Sequence, residues 1–323
     1  MSNILVTGGA GFIGSTLCER LLMLGHNVVN LDNFNDFYDP LTKRGNIASA
    51  LLCTNYKLIE GDINDTNLLY DIFENYNINT VVHLAAMAGV RQSIADPIKY
   101  VDVDIKGTVN ILECSNKFKV NKLIFASSSS VYGKNIPPFK ESDPIEIQVS
   151  PYATAKRSGE LFCSTYNELY GIPVICLRFF TVYGPRQRPE MAIYRFVRLI
   201  DEECEVNVFG DGSSSRDYTY VDDIIDGIIT SIDYNCGFEI FNLGNSSIVH
   251  LNDLIKLIEV KLGKKSFINY LPPQPGDVEF TCADIKKSEN LLGYRPKIKI
   301  DEGVERFIKW YHGDLATRGS VLR

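Results

Sequence analysis

Ile4-Leu5-Val6-Thr7-Gly8-Gly9-Ala10-Gly11-Phe12-Ile13-Gly14 decides how the rest of the chain is read. An apolar strand runs into it and a helix runs out of it, with glycines spaced Gly8-x-x-Gly11-x-x-Gly14 between. Glycine permits the tight turn and lets backbone approach a ligand closely. The free N–H groups and positive end of the helix that opens at Phe12 and Ile13 favour a phosphate. Asp32 ends the next strand, followed by Asn33. A carboxylate there accepts hydrogen bonds from an adenosine ribose and repels a 2′-phosphate. Strand, loop, helix and acid in this register point to NAD rather than NADP.

Outward from the loop, strand-like and helix-like segments alternate. The pattern predicts strands at 3–7, 27–32, 57–60, 80–85, 121–127 and 173–178, and helices at 12–24, 65–76, 97–118 and 152–170. Gly25 and Gly171 are the expected helix stops. Apolar strands alternating with helices imply an α/β fold, a doubly wound parallel sheet of the Rossmann type. Its ligands belong beyond the carboxyl ends of the strands. Asp62 and Ile63 follow the third strand and are placed to flank the adenine. Leu84, Ala85 and Ala86 follow the fourth, where small residues let a cofactor approach the backbone. Past residue 180 the alternation becomes irregular, with Pro-rich and Gly-rich loops and short helices expected at 191–204, 222–233, 251–262 and 301–311. We read residues 1–180 as the NAD-binding lobe and 181–323 as a smaller, mixed α/β lobe for the second substrate. Segments around 221–245 are expected to return to the first lobe.

The bulk numbers narrow the setting. A chain of 323 residues, 45% hydrophobic and 23% charged, is neither fibrous nor disordered. Net charge −7 and a pI near 5.3 argue against general binding to nucleic acid or an anionic membrane. No run of 18 apolar residues predicts a membrane span, and the chain opens directly into its first strand with no charged leader. Eight cysteines without a C-x-x-C pair and four scattered histidines suggest reduced thiols, no metal site and a cytoplasmic setting. His83, in the apolar run Val81-Val82-His83-Leu84, reads as a structural histidine.

Further along stands Tyr152-Ala-Thr-Ala-Lys156. Residues four apart share a helix face, and an ammonium close to a phenol favours the phenolate. Such a pair suits a general base acting on an alcohol. Ser127-Ser128-Ser129-Ser130 ends the fifth strand and places hydroxyls at the ligand edge of the sheet, with Ser128 available to relay a proton.

This set of residues resembles the extended short-chain dehydrogenase/reductase family, which acts on nucleotide sugars. The resemblance continues through Gly210-Asp211-Gly212, Arg216-Asp217-Tyr218-Thr219-Tyr220-Val221-Asp222-Asp223, Pro275-Gly276-Asp277 and Ala283-Asp284. It implies that Tyr152 is the base, that Lys156 orients the nicotinamide ribose and that Ser128 handles the proton of a sugar 4-hydroxyl. It also implies that Arg216 and Asp277 contact the nucleotide's phosphates and ribose. Members that eliminate water or carbon dioxide carry a Glu where Ser130 stands, often with an Asp at Ser129. Hydroxyls at both places leave reversible oxidation at C4, through a 4-keto sugar that turns over and is reduced on its other face.

Finer motifs, Arg178-Phe179-Phe180-Thr181-Val182-Tyr183-Gly184-Pro185 above all, resemble the UDP-glucuronate 4-epimerases; Asp32–Asp39, Ala126–Ser130 and Gln274–Asp277 agree. The resemblance implies an NAD-dependent enzyme that acts on a UDP-hexuronic acid for polysaccharide biosynthesis. Ser128, Ser129 and Thr181 would offer neutral donors to its carboxylate, with Arg91 or Arg188 adding charge. A 4-epimerase for UDP-glucose or UDP-N-acetylglucosamine is the alternative, since the resemblance puts Thr281 where a bulkier residue typically restricts N-acetyl groups. A silent NAD-sensing protein is a third. Family members commonly form homodimers through the helices near 97–118 and 152–170.

Overall fold

The computed structural model describes residues 2–273 and 278–321. Asp277 therefore lies outside the described residues. Twelve strands are described: β1 Asn3–Thr7, β2 Asn27–Asp32, β3 Tyr56–Glu60, β4 Thr80–His83, β5 Lys122–Ser128, β6 Val174–Phe179, β7 Thr181–Tyr183, β8 Glu205–Phe209, β9 Ser215–Tyr220, β10 Phe238–Leu243, β11 Ile248–His250 and β12 Phe267–Leu271. The α-helices are α1 Phe12–Met23, α2 Pro40–Asn46, α3 Thr66–Tyr76, α4 Val90–Ala95, α5 Pro97–Tyr100, α6 Gly107–Lys117, α7 Pro151–Tyr170, α8 Ala192–Asp201, α9 Val221–Asp233, α10 Leu251–Leu262, α11 Lys286–Leu292 and α12 Ile300–Val321.

Seven strands form a parallel sheet in the order β10-β6-β5-β4-β1-β2-β3. Successive side chains of a strand point to opposite faces, and the cores divide accordingly. Ile4, Val6, Val82, Ile124 and Ile175 pack on one face. Leu5, Val81, Leu123, Phe125 and Cys176 pack on the other. Both faces are covered, so these strands read as unbroken apolar runs. From β1 the chain winds outward through β2 and β3, then crosses back and winds the other way through β4, β5 and β6. That reversal opens a crevice above the carboxyl ends of β1 and β4. Strand β10 joins the sheet beside β6, some sixty residues later in the chain.

The rest of the C-terminal half is a three-stranded sheet ordered β11-β9-β7 and a parallel pair, β8 with β12, with helices around them. Among the differences from expectation, the last helix runs on to Val321 rather than stopping near 311, and two others bear on the cleft. The helix anticipated at 97–118 is α5, a wider-wound segment Val101–Lys106, and α6. The strand anticipated to reach 85 stops at His83; one last bond, Leu84 N–H to Thr7 O (3.1 Å), ties the chain to β1 before it peels away along the crevice.

Among the described residues no helix is long and apolar enough to cross a membrane, and no group of His, Cys, Asp or Glu is arranged to hold a metal. The cysteines are all free.

Candidate active site

A cleft of about 420 Å³ lies over the crevice. Its dinucleotide end is built from β1, the glycine loop and α1. Gly8 adopts φ +72°, and a Cβ there would meet Ala85 N at 2.8 Å. A Cβ on Gly14 would meet Gly8 O at 2.2 Å, whereas one on Gly11 would touch only that oxygen, at 3.2 Å, and otherwise fill the cleft. Two glycines thus shape the loop and the third keeps the cradle open. Asp32 is fixed by two backbone donors, Ala10 N–H (3.0 Å) and Phe34 N–H (2.9 Å). Asn33 donates to Asp62 at 2.8 Å. Phe12, Ile13, Ile63, Leu84, Ala85 and Ala86 line the same end. A backbone cradle at a helix start, an anchored carboxylate and small apolar walls fit a dinucleotide.

At the other end, Ser150 caps α7 by accepting the Ala153 N–H at 3.1 Å, and Pro151 opens the first turn. This start aims Tyr152 and Lys156 into the cleft. Tyr152 meets the Tyr100 ring edge-on at 6.2 Å, and the Lys156 ammonium, buried, lies 5.3 Å from the Phe125 ring centre. Ser128 ends β5, its hydroxyl accepting the Ser130 N–H at 3.1 Å. One turn beyond Lys156, the buried Glu160 accepts from Ser127 (2.6 Å), twice from Arg178 (2.8 and 2.9 Å) and once from Arg157 (2.8 Å). Burial alone would raise the Glu160 carboxyl, but the Arg178 fork with Ser127 and Arg157 outweighs it and holds the group below the usual carboxylate range. This buried cluster ties β5, β6 and α7 together directly behind the serine, tyrosine and lysine. His83 bonds Thr7 Oγ1 (2.7 Å) and Thr108 Oγ1 (3.1 Å), as a structural histidine should.

Ser129, Thr181 and Arg188 also line the cleft; Arg188 pairs with Glu190 at 3.1 Å. Two expected ligands stand apart from it. Arg91 packs over the Phe209 ring at 4.5 Å, and Arg216 donates to the carbonyls of Ser215 (2.9 Å) and Glu279 (3.2 Å). Sequence reasoning passed over Lys43, Tyr38 and Met191, which line the cleft. Lys43 is buried, 5.0 Å from the Tyr38 ring, and burial pushes its ammonium below the ordinary lysine range while Asp32 opposes the shift. A lysine in a seven-residue helix carries no periodic signal that would have singled it out.

Fold and cleft together define an extended short-chain dehydrogenase/reductase. The chain belongs to the family described as GDP-mannose 4,6 dehydratase, whose family model matches residues 5–307. It is 44% identical over 311 residues to the UDP-glucuronate 4-epimerase of Thermodesulfobacterium geofontis, with 96% of each chain covered. The crystal structure of UDP-glucuronic acid 4-epimerase from Bacillus cereus, in complex with UDP-glucuronic acid and NAD, superposes with a TM-score of 0.92 at 38% identity, covering 96% of this chain and 99% of that one. The UDP-glucose 4-epimerase of Thermotoga maritima, solved with UDP-glucose, is more distant at 34% identity, with a TM-score of 0.90 and coverage of 97% and 99%.

Proposed function

We propose that this protein is an NAD-dependent UDP-glucuronate 4-epimerase, converting UDP-glucuronate and UDP-galacturonate through a transient 4-keto sugar. One observation carries the reading. The cleft joins a dinucleotide cradle to Ser128, Tyr152 and Lys156, offers hydroxyls at Ser129 and Ser130 where elimination would need acids, and adds the Thr181 hydroxyl. The relatives of matching name and their bound UDP-glucuronic acid and NAD support it.

NAD, when bound, supplies a reversible acceptor for hydride at C4 of the sugar. Tyr152 takes the 4-hydroxyl proton and later returns it. Lys156 favours the phenolate and orients the cofactor's ribose, while Ser128 holds the reacting oxygen. Gly8, Gly11 and Gly14 with Phe12 and Ile13 cradle the pyrophosphate, and Asp32 and Asn33 take the adenosine ribose. Asp62, Ile63, Leu84, Ala85 and Ala86 enclose the rest of the cofactor. Ser129 and Thr181 bind the carboxylate with Arg188, and neutral donors leave the keto sugar free to turn. Arg216 and Asp277 are assigned to the nucleotide end of the UDP-sugar, and of the two arginines considered for the carboxylate Arg188 is preferred over Arg91, which packs on Phe209. In this reading residues 1–180 with 221–245 hold NAD and the remainder of 181–323 holds the UDP-sugar. We place the enzyme in the cytoplasm, in polysaccharide biosynthesis, as a homodimer. The dimer is supported by apolar side chains left exposed on α7 and the segment before α6, among them Leu161, Phe162 and Val101.

Proton NMR of the purified protein with UDP-glucuronate, UDP-glucose or UDP-N-acetylglucosamine, no nicotinamide added, tests the reading. New galacto-configured anomeric signals are expected from the uronate alone. Turnover of a neutral sugar only would overturn the substrate assignment and keep the chemistry.

A further inference from the structure

Arg186 adopts a backbone conformation that is costly for any residue with a side chain. Its φ is +69°, in the left-handed region that residues other than glycine enter at a penalty. Such strain persists where the surroundings over-determine it, and it gathers near functional sites. Arg186 stands outside the cleft, yet Arg188, two residues later, lines it, and so does Met191. The strained residue is held from the cofactor side of the molecule.

The Arg186 guanidinium donates to Glu19 Oε1 at 2.8 Å and to the Ser15 hydroxyl at 3.4 Å, both on α1. Ser15 lies in the turn directly behind the glycine cradle, its N–H bonded to Gly11 O at 3.0 Å. The next residue ties the loop to its own lobe. Gln187 is buried, its N–H bonded to Gly184 O at 3.1 Å and its side-chain amide to Val182 O, on β7, at 3.2 Å. Beyond these two anchors the chain turns through a Met191 N–H to Arg188 O bond of 3.1 Å into α8. Arg188 sits on that turn, 5.4 Å from the Phe37 ring centre.

The two side chains of the Arg186–Glu19 pair are 21% and 28% exposed, and ion pairs open to solvent add little to folding. Set against left-handed strain, the pair is a weak stabilising device. It is a good positioning one, because it fixes the loop against the helix whose start cradles the cofactor. We propose that Arg186 is a positioning residue for substrate binding, and that its bond to Glu19 sets the place from which Arg188 meets the sugar carboxylate. The proposal rests on the reading of the cleft as a UDP-glucuronate site and deepens it.

Two variants test it from opposite sides. Arg186→Asn supplies a residue that tolerates the left-handed backbone and removes the guanidinium. Glu19→Gln removes the other charge at constant size. Turnover of holoprotein is followed by NMR. Each variant should raise KM for UDP-glucuronate about tenfold, the order of one coupled contact. The kcat should stay within about twofold, since binding lost equally from ground and transition states leaves it unchanged. The double variant should be no worse than either single one, because both break the same bond. Inhibition by free UDP, which lacks the sugar carboxylate, should not change, and neither should the NAD retained. A brace with only a structural role would instead lower kcat, NAD content and the urea midpoint together with substrate binding. That pattern, an unchanged KM in both single variants, additive effects in the double variant or an equal loss of UDP binding each overturns the proposal. If Arg186→Asn does not fold, Glu19→Gln decides by the same readings. A wild type that converts no UDP-sugar removes the functional reading itself, whereas an active wild type whose variants keep its KM removes this proposal alone.

Discussion

Tyr152 faces the cleft from the first turn of α7, its ring held against Tyr100. Tyr152→Phe keeps that contact and removes the proposed proton acceptor. We expect kcat to fall roughly 10²- to 10⁴-fold with NAD retained, measured by NMR turnover and by cofactor released on denaturation; near-normal turnover would exclude Tyr152 as the base. Ser129→Ala and Thr181→Ala test the carboxylate pocket. Each removes a hydrogen bond that we propose is made to the substrate carboxylate, so selectivity for the uronate over UDP-glucose should drop by about tenfold or more. An unchanged ratio of kcat/KM values would show that the hydroxyls do not read the carboxylate. His83 gives a pH signature. Burial lowers its pKa to about 3, well below the ordinary histidine value of 6.5. The unfolded chain therefore takes up a proton near pH 6.5 that the folded chain refuses. This contribution to stability is complete above that pH and is lost as pH falls towards 3, on the order of 4 kcal/mol over the whole window. Urea unfolding between pH 7 and 4 should show a shallower fall in stability for His83→Gln than for the wild type, and parallel curves would refute the assignment.

At the scale of elements, the cluster around Glu160 locks α7 to β5 and β6. Glu160→Gln leaves the Arg178 guanidinium, almost fully buried, without its counter-charge. Breaking a buried pair from one side costs about 3–5 kcal/mol, which a urea midpoint will register; a loss below 1 kcal/mol would mean the pair is not what braces the helix. Because Ser127 is one of its partners, kcat should fall with stability even though Glu160 lines no part of the cleft. The long elements around this lock, β5, β6 and α7, were legible in the sequence within a residue or two. Their apolar runs are long enough for periodicity to show, and Ser150, Pro151 and Gly171 mark the ends of α7. Helices α2, α4 and α11 span seven residues or fewer, barely two turns, and passed unnoticed. The widened turn at Val101–Lys106 was equally hidden, because six residues are too few for a change of period to show against the helical pattern on either side.

At the scale of the molecule, the exposed apolar residues of α7 suggest a second copy as their cover. Leu161 and Phe162 remain 53% and 37% exposed. Leu161→Asp with Phe162→Asp should convert a dimer to a monomer in light scattering with the helical signal intact, and a wild type that is already monomeric would end that proposal.

Legible in the sequence alone were the positions of six of the seven strands of the main sheet, the glycine cradle, Asp32 at the end of the second strand and the Tyr152–Lys156 spacing. All of these are local: they depend on hydrophobic period, glycine geometry and residues four apart on one helix. Only the tertiary structure decided which distant groups meet. It set β10 beside β6, put Lys43 over the Tyr38 ring, stacked Arg91 on Phe209 and turned Arg216 towards backbone carbonyls. It also buried one oxygen of Asp104 without a partner behind Met87. Those placements depend on how separately formed elements pack and on which charges burial leaves facing one another, and no local spacing encodes that.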